Sequence, residues 1–226
     1  MKLYIANKNY SSWSMRPGVM LKQAGIAHEE VMVRFDGFDA QSQFKQTLKD
    51  INPVGKVPVL VDGDIVVWDT LAIAEYVAEK FPEKKLWPTA VADRARARSI
   101  CAEMHSGFMG IRSACPMNID AYLPEIGALA MRDKEALRQD LKRIDSLFSS
   151  LLKQHKGPML FGEFTIPDAY FAPVVMRIKT YALPVSAETQ AYMDRLCAMP
   201  GVKAWIDGAL AEKDFIDIEE PFRTKP

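Results

Sequence analysis

Tyr10-Ser11-Ser12-Trp13-Ser14-Met15-Arg16 lies between a short apolar run and a helical pattern, with Ser11 and Ser14 three residues apart. That is the spacing of a Cys-x-x-Cys redox pair with hydroxyls where the thiols would stand. Such a pair forms no disulfide of its own, but it can hold the thiol of another molecule. A strand running into a helix start presents unpaired backbone N–H groups and the positive end of the helix dipole. A thiol placed there is shifted toward thiolate from a free value of about 8.5, and a serine hydroxyl can donate to the sulfur. The other reading is that these serines only cap the helix. Serine is a weak nucleophile without a base, and no histidine lies nearby in sequence.

Working outward, Leu3-Tyr4-Ile5-Ala6 reads as a strand, and Val19, Met20, Leu21 and Ala24 lie on a helix that stops at Gly25. With Ser14 near the N-cap, Pro17 would fall in the first turn, where its missing N–H costs nothing. A second strand over residues 30–35 makes this a parallel βαβ unit with a right-handed crossover. Residues 39–49 read as a short polar helix. The strands over 57–61 and 65–68 flank the hairpin signal Asp62-Gly63. The pattern over 70–80 predicts an amphipathic helix with Ile73, Tyr76 and Val77 on one face. Residues 1–80 therefore read βαβαββα, with a mixed four-stranded sheet. Residues 81–89 carry Pro82 and Pro88 and read as a linker. From 90 to 226 no strand pattern survives, and 92–112, 134–153, 168–181, 187–199 and 202–212 read as helices.

The 226 residues suit two compact units, and 49% of them are apolar, enough for a proper core. Lys plus Arg and Asp plus Glu balance at 29 each, so no basic excess draws the chain to nucleic acid or anionic lipid. No apolar run is long enough to span a membrane, and the opening residues lack a signal-peptide core. Cys101, Cys115 and Cys197 are odd in number and widely spaced, which points to a reducing, cytoplasmic setting. His28, His105 and His155 do not cluster, so no metal is expected.

Two further segments complete a candidate site. Pro58 stands at the start of a strand, a position for an edge or a special turn. If the Val57-Pro58 bond is cis, the backbone of Val57 points outward and can pair with an extended peptide beside Ser11; otherwise Pro58 is an ordinary trans proline. Asp69-Thr70 opens the next helix, where hydroxyl, N–H and dipole suit a carboxylate and Asp69 suits an ammonium group. An α-amino acid end carries both, although Asp69 is also a good N-cap.

Over its whole length the chain resembles a soluble glutathione S-transferase. Residues 52–60, Asn-Pro-Val-Gly-Lys-Val-Pro-Val-Leu, are similar to that superfamily's cis-proline segment. Residues 69–73 resemble its γ-glutamyl-binding segment, with Asp-Thr where Glu or Gln and Ser are usual. Residues 11–16 resemble the serine-type active site of the zeta and tau classes, in which the first serine assists the glutathione thiolate. Gly162, Thr165, Asp168 and Ala169 resemble the superfamily's N-capping box, with Thr at the N-cap and Asp at N3 serving folding.

The resemblance implies an N-terminal thioredoxin-like domain followed by an all-helical bundle, glutathione as co-substrate and a homodimer. It implies Ser11, Ser12 and Ser14 as catalytic candidates, and Lys56, Val57, Pro58, Asp69 and Thr70 around glutathione. Tyr10, Trp13, His105, Phe108, Met109 and Arg112 would line the electrophile site. The last four fall at i, i+3, i+4 and i+7, on one face of a helix, a stripe more often core than pocket. Arg112 on that face needs solvent or an anion. The zeta pattern departs at Trp13, which replaces Cys, and at Met15-Arg16-Pro17-Gly18, which replaces Trp-Arg-Val-Arg. The implied activity is conjugation of glutathione to an electrophile, a detoxification chemistry. The alternatives are cis-trans isomerisation of the maleylacetoacetate type and a non-catalytic ligand-binding role on the same scaffold.

Overall fold

The computed structural model describes residues 1–37 and 39–225. Strand β1 (Lys2–Ile5) leads into helix α1 (Ser12–Gln23), and β2 (Glu29–Met32) returns parallel to β1 with Leu3 opposite Glu30. Helix α2 (Gln43–Leu48) is followed by β3 (Val59–Asp62) and β4 (Ile65–Trp68), a hairpin closed by Gly63 and Asp64 with Gly63 at φ 61. β3 runs antiparallel to β1, so the sheet order is β2-β1-β3-β4. Helix α3 (Thr70–Lys80) completes the predicted βαβαββα order. Strand alternation sends Leu3, Ile5 and Leu60 into the main core, while Tyr4 packs with Val33, Phe44 and Leu48 on the other face.

Boundaries moved where side chains took over backbone partners. The second strand stops at Met32 rather than at residue 35, because the Phe35 N–H donates to Asn7 Oδ1 at 2.9 Å. The helix expected over 39–49 begins at Gln43. Ser42 caps it there, and Asp36 accepts the N–H groups of Gln43 and Phe44 at 2.8 and 3.1 Å.

The helical half comprises α4 (Val91–Ser106), α5 (Met109–Ala114), α6 (Pro124–Asp133), α7 (Glu135–His155), α8 (Ile166–Thr180), α9 (Ala187–Ala198) and α10 (Pro200–Glu212). Helix α8 is apolar nearly all round, as an interior helix must be, and every residue of it except Lys179 is buried. It packs on α1, α4 and α9. Its capping box forms as expected, the Thr165 N–H donating to Asp168 Oδ2 at 2.9 Å. Helix α1 also meets α10 closely: a Cβ at Gly18 would lie 2.2 Å from Trp205 Cζ3, so only glycine fits there. Between the halves, Leu86 and Trp87 are buried, and the Leu86 carbonyl accepts the Ile166 N–H at 2.9 Å.

The single helix expected over 92–112 is two helices. The chain breaks at Gly107 and Phe108, where Phe108 sits at φ 56 with its ring buried against Phe171. Helix α6 was not foreseen, and neither was the course of residues 213–225, which fold back across the start of α1.

Candidate active site

Helix α1 starts three residues earlier than the sequence implied. Ser11 is its N-cap, not Ser14, and Pro17 consequently lies inside the helix rather than in its first turn. The Ser11 hydroxyl accepts the Ser14 N–H at 3.3 Å and donates to Ser14 Oγ at 2.8 Å. Ser14 is fully buried, and its Oγ also accepts the Ala6 N–H at 3.1 Å. The third serine thus ties α1 to the end of β1 and fixes Ser11, without reaching a cavity itself. Ser12 is half-buried and accepts from Arg177 Nη2 at 3.3 Å.

Ser11 and Ser12 border a cavity of about 510 Å³. Tyr10 and Trp13 join them from the start of α1, Lys45, Lys56 and Val57 come from the α2–β3 region, Met109, Arg112 and Ser113 from α5, and Arg177 from α8. Ile216 and Glu219 of the C-terminal segment complete its wall. A second cavity of about 450 Å³ is bordered by Lys56, Val57, Pro58, Asp69, Thr70 and His105. Trp13, Lys56 and Val57 border both, so the two cavities adjoin and together make a cleft. The Val57–Pro58 bond is cis.

At the start of α3, Asp69 is the N-cap, its Oδ1 accepting the Leu71 N–H at 2.9 Å. Its φ of 75 is a conformation that non-glycine residues adopt sparingly and that clusters at ligand sites. His105 Nε2 lies 3.4 Å from Asp69 Oδ2. Thr70 is buried, and its hydroxyl accepts from Tyr170 at 2.6 Å, leaving its own proton free to donate.

Cations surround Trp13. The guanidinium carbons of Arg16 and Arg112 stand 4.3 and 4.7 Å from its ring, and Arg16 also lies 4.7 Å from the Tyr170 ring. Burial, reinforced by the charges of Arg112 and Arg16, pushes Arg177 down to about 10. Burial likewise lowers Arg112. The Tyr10 hydroxyl donates to Glu220 Oε1 at 2.7 Å; burial first, and that carboxylate second, push it up to about 12. Tyr10 is therefore a protonated, committed donor that offers the cavity only its ring. No group of three His, Cys, Asp or Glu residues is placed to hold a metal among the described residues.

Of the predicted electrophile-site residues, the cleft gathers Tyr10, Trp13, His105, Met109 and Arg112. Phe108 borders neither cavity and is core. The break at Gly107 also destroys the shared face expected for His105, Phe108, Met109 and Arg112. His105 turns to Asp69, and Met109 and Arg112 turn to the larger cavity. Sequence reasoning missed Arg177, although a lone cation in the apolar run 166–178 was a visible signal. It also missed Lys45, Ile216 and Glu219, which only long-range folding brings to the site.

Helix N-terminus, hydroxyl and nearby cations together suit a thiolate. Residues 10–80 match the model of the glutathione S-transferase N-terminal domain, and residues 127–208 that of the C-terminal domain. Glutathione S-transferase 1 of Dianthus caryophyllus is 32% identical over 178 residues, covering 78% of this chain and 76% of that protein. A glutathione transferase homologue from Burkholderia, solved with bound glutathione, superposes with a TM-score of 0.70 at 23% identity, over 92% of this chain and 97% of that one. The holo structure of a bacterial maleyl pyruvate isomerase of the zeta class gives 0.70 at 20% identity, over 95% and 100%. This chain belongs to the glutathione S-transferase family.

Proposed function

We propose that the protein is a glutathione transferase that holds the glutathione sulfur as a thiolate beside Ser11 and directs it at an electrophilic small molecule. The observation that carries this reading is the shared wall of Trp13, Lys56 and Val57 between the two cavities. It lets an extended tripeptide run from Asp69 and Thr70 to Ser11 while the larger cavity stays open beside the sulfur. In this reading Thr70 and the α3 N-terminus take the γ-glutamyl carboxylate, and Asp69 takes the ammonium group. Val57, ahead of Pro58, aligns the cysteinyl backbone, and Lys56 with Lys45 takes the remaining carboxylate. Ser11 and the α1 dipole stabilise the thiolate, which then forms a C–S bond as the leaving group departs with the electron pair. Ser12 and Ser14 support Ser11 from either side.

Residues 1–80 form the glutathione-binding unit in this reading, 81–89 the connection, and 90–226 the helical unit that supplies the electrophile side. We further read the protein as a cytoplasmic homodimer. The free thiols of Cys101, Cys115 and Cys197 support a reducing setting. The part-exposed Ile65, Val66 and Trp68 of β4 support a partner surface. Isomerisation would use the same thiolate, and no observation favours it over transfer.

Calorimetric titration with reduced glutathione, in two buffers of different ionisation enthalpy, tests the reading. Saturable binding with proton release near neutral pH is expected. Absence of binding at millimolar glutathione would overturn it, and binding without turnover of any electrophile would favour a ligand carrier.

A further inference from the structure

The C-terminal segment carries two adjacent glutamates with opposite surroundings. Glu220 is buried and saturated: its carboxylate accepts from the Tyr10 hydroxyl at 2.7 Å, Asn118 Nδ2 at 2.9 Å and Arg223 Nε at 2.8 Å. Glu219 is half-buried in the wall of the larger cavity, and among the described residues its carboxylate makes no hydrogen bond and no ion pair. A 3₁₀ turn over Asp217–Glu219 sets the two directions, closed by the Glu219 N–H on the Ile216 carbonyl at 2.8 Å. Residues three apart eclipse in such a turn, and Ile216 and Glu219 accordingly border the same cavity. Upstream, Asp214 accepts from Asn7 Nδ2 at 2.6 Å, so both ends of the turn are tied to the loop ahead of α1.

Ser11 borders that cavity too. An ionised carboxylate in its wall works against a thiolate, because like charges in a poorly solvated space destabilise one another. Protonation removes the conflict. Burial already pushes the Glu219 carboxyl up, against the pull of Arg177 and with a smaller push from Glu220. A thiolate in the same cavity acts in that direction as well. Lys45, Lys56 and Arg112 are the other charged groups of this wall, and among the described residues none of them lies within ion-pair distance of Glu219. A carboxyl group protonated beside the thiolate, with no structural partner for its proton, is placed as a general acid.

The reaction decides whether that proton is needed. Chloride displaced from an aromatic carbon departs as a stable anion. An opened epoxide leaves an alkoxide, a strong base that forms slowly unless a proton arrives with it.

We propose that Glu219 is a proton donor on the electrophile side of the cleft, protonating the oxygen on which negative charge develops when the thiolate opens an epoxide. This rests on the transferase reading and adds a catalytic residue and an electrophile class to that same site. The sulfur electron pair forms the C–S bond, the C–O bond at that carbon breaks, and the freed pair on oxygen takes the Glu219 proton. The product is a hydroxy thioether. Glu219, left as a carboxylate, regains a proton from water.

Two electrophiles isolate the proton: chlorodinitrobenzene, which loses chloride, and nitrophenyl glycidyl ether, an epoxide. The rate of each is divided by its own uncatalysed rate. Glu219→Gln keeps the size of the side chain but has no carboxyl proton to give. It should lower kcat/KM for the epoxide by about 100-fold more than for the chloride, the lower end of what a placed general acid supplies, and Glu219→Asp should restore part of the loss. The quotient of epoxide rate over chloride rate cancels the ionisation of the thiol. In wild type it should fall as the pH rises through the titration of Glu219, and in Glu219→Gln it should stay flat.

An equal effect of Glu219→Gln on both electrophiles overturns the inference alone, because Glu219 would then only shape the cavity. So does a quotient that follows pH alike in both proteins, or a wild type that conjugates the chloride and not the epoxide. Wild-type protein that binds glutathione and conjugates neither, or that binds no glutathione, overturns the transferase reading, and this inference with it.

Discussion

Helix α1 begins with Ser11 and Ser14, helix α8 with Thr165 and Asp168, and in both the pair occupies the N-cap and the third helical position. At α8 the third residue is a fully buried carboxylate whose oxygens are saturated. Oδ1 accepts from the Leu160 N–H at 3.2 Å and the Tyr192 hydroxyl at 3.0 Å. Oδ2 accepts from the Thr165 N–H at 2.9 Å and the Thr165 hydroxyl at 3.2 Å. At α1 the third residue is a buried hydroxyl, and the N-cap hydroxyl in front of it borders the cleft. The same local device closes one helix start and leaves the other facing a ligand space. What covers the N-terminus decides whether its donors stabilise the fold or remain available to an anion.

The largest effect should come from breaking the closed end. Asp168→Ala leaves four buried donors without an acceptor and should cost about 3 kcal/mol or more, read as a fall in the urea midpoint. A loss below about 1 kcal/mol would mean that the α8 box is dispensable, and the contrast with α1 would collapse. Its pH dependence sharpens the point. Burial outweighs the hydrogen bonds and raises the Asp168 carboxyl to about 6 from an ordinary 3.8, so the folded chain holds this proton more tightly. The stability it confers is complete below about pH 4 and is lost as the pH rises through about 6. Wild type should lose stability relative to Asp168→Asn across that interval, and parallel curves would refute the assignment.

At the open end the effect should move from stability to turnover. Ser11→Ala removes the hydroxyl whose proton turns from Ser14 Oγ to the sulfur when glutathione binds, and should lower kcat/KM by about 100-fold, in the range seen when one positioned donor is deleted. Its unfolding free energy should fall by only about 1 kcal/mol, the ordinary value of an N-cap. If stability fell and turnover did not, Ser11 would be another structural cap. Ser14→Ala should cost about 1–2 kcal/mol of stability, because the buried Ala6 N–H loses its acceptor. It should also lower turnover, since only the backbone N–H of residue 14 then holds the Ser11 hydroxyl. The smallest effect should be that of Tyr170→Phe, which removes the 2.6 Å donor to Thr70 Oγ1. Glutathione affinity should weaken by about five-fold, equivalent to one ordinary hydrogen bond, measurable by calorimetry.

Much of this was legible in the chain. The period-two and period-3.6 patterns of the first 80 residues locate all four strands and α3, and Thr165 to Asp168 gives the box directly. The rest depends on contacts that local sequence does not encode. The helical periodicity continues through Gly107 and Phe108, and only burial against Phe171 imposes the positive φ that ends the helix. The Ser14 hydroxyl is claimed by Ala6, eight residues upstream, which shifts the cap to Ser11. Tyr10 meets Glu220 across 210 positions, and Arg177 meets Ser12 across 165. Site residues on the sheet side could be named because turns and helix starts carry their own chemistry. Met109 and Arg112 of α5 could be named only through the family resemblance, and Lys45 of α2, Arg177 of α8 and the residues of the C-terminal segment could not.

Whether the α1 N-terminus with Ser11 holds a thiolate is read from the ultraviolet absorbance of bound glutathione across pH. In wild type, thiolate absorbance should appear well below the free thiol value of about 8.5, and in Ser11→Ala it should move back toward that value while glutathione stays bound. A bound thiol that titrates at its free value in wild type, or one that Ser11→Ala leaves unmoved, would contradict it.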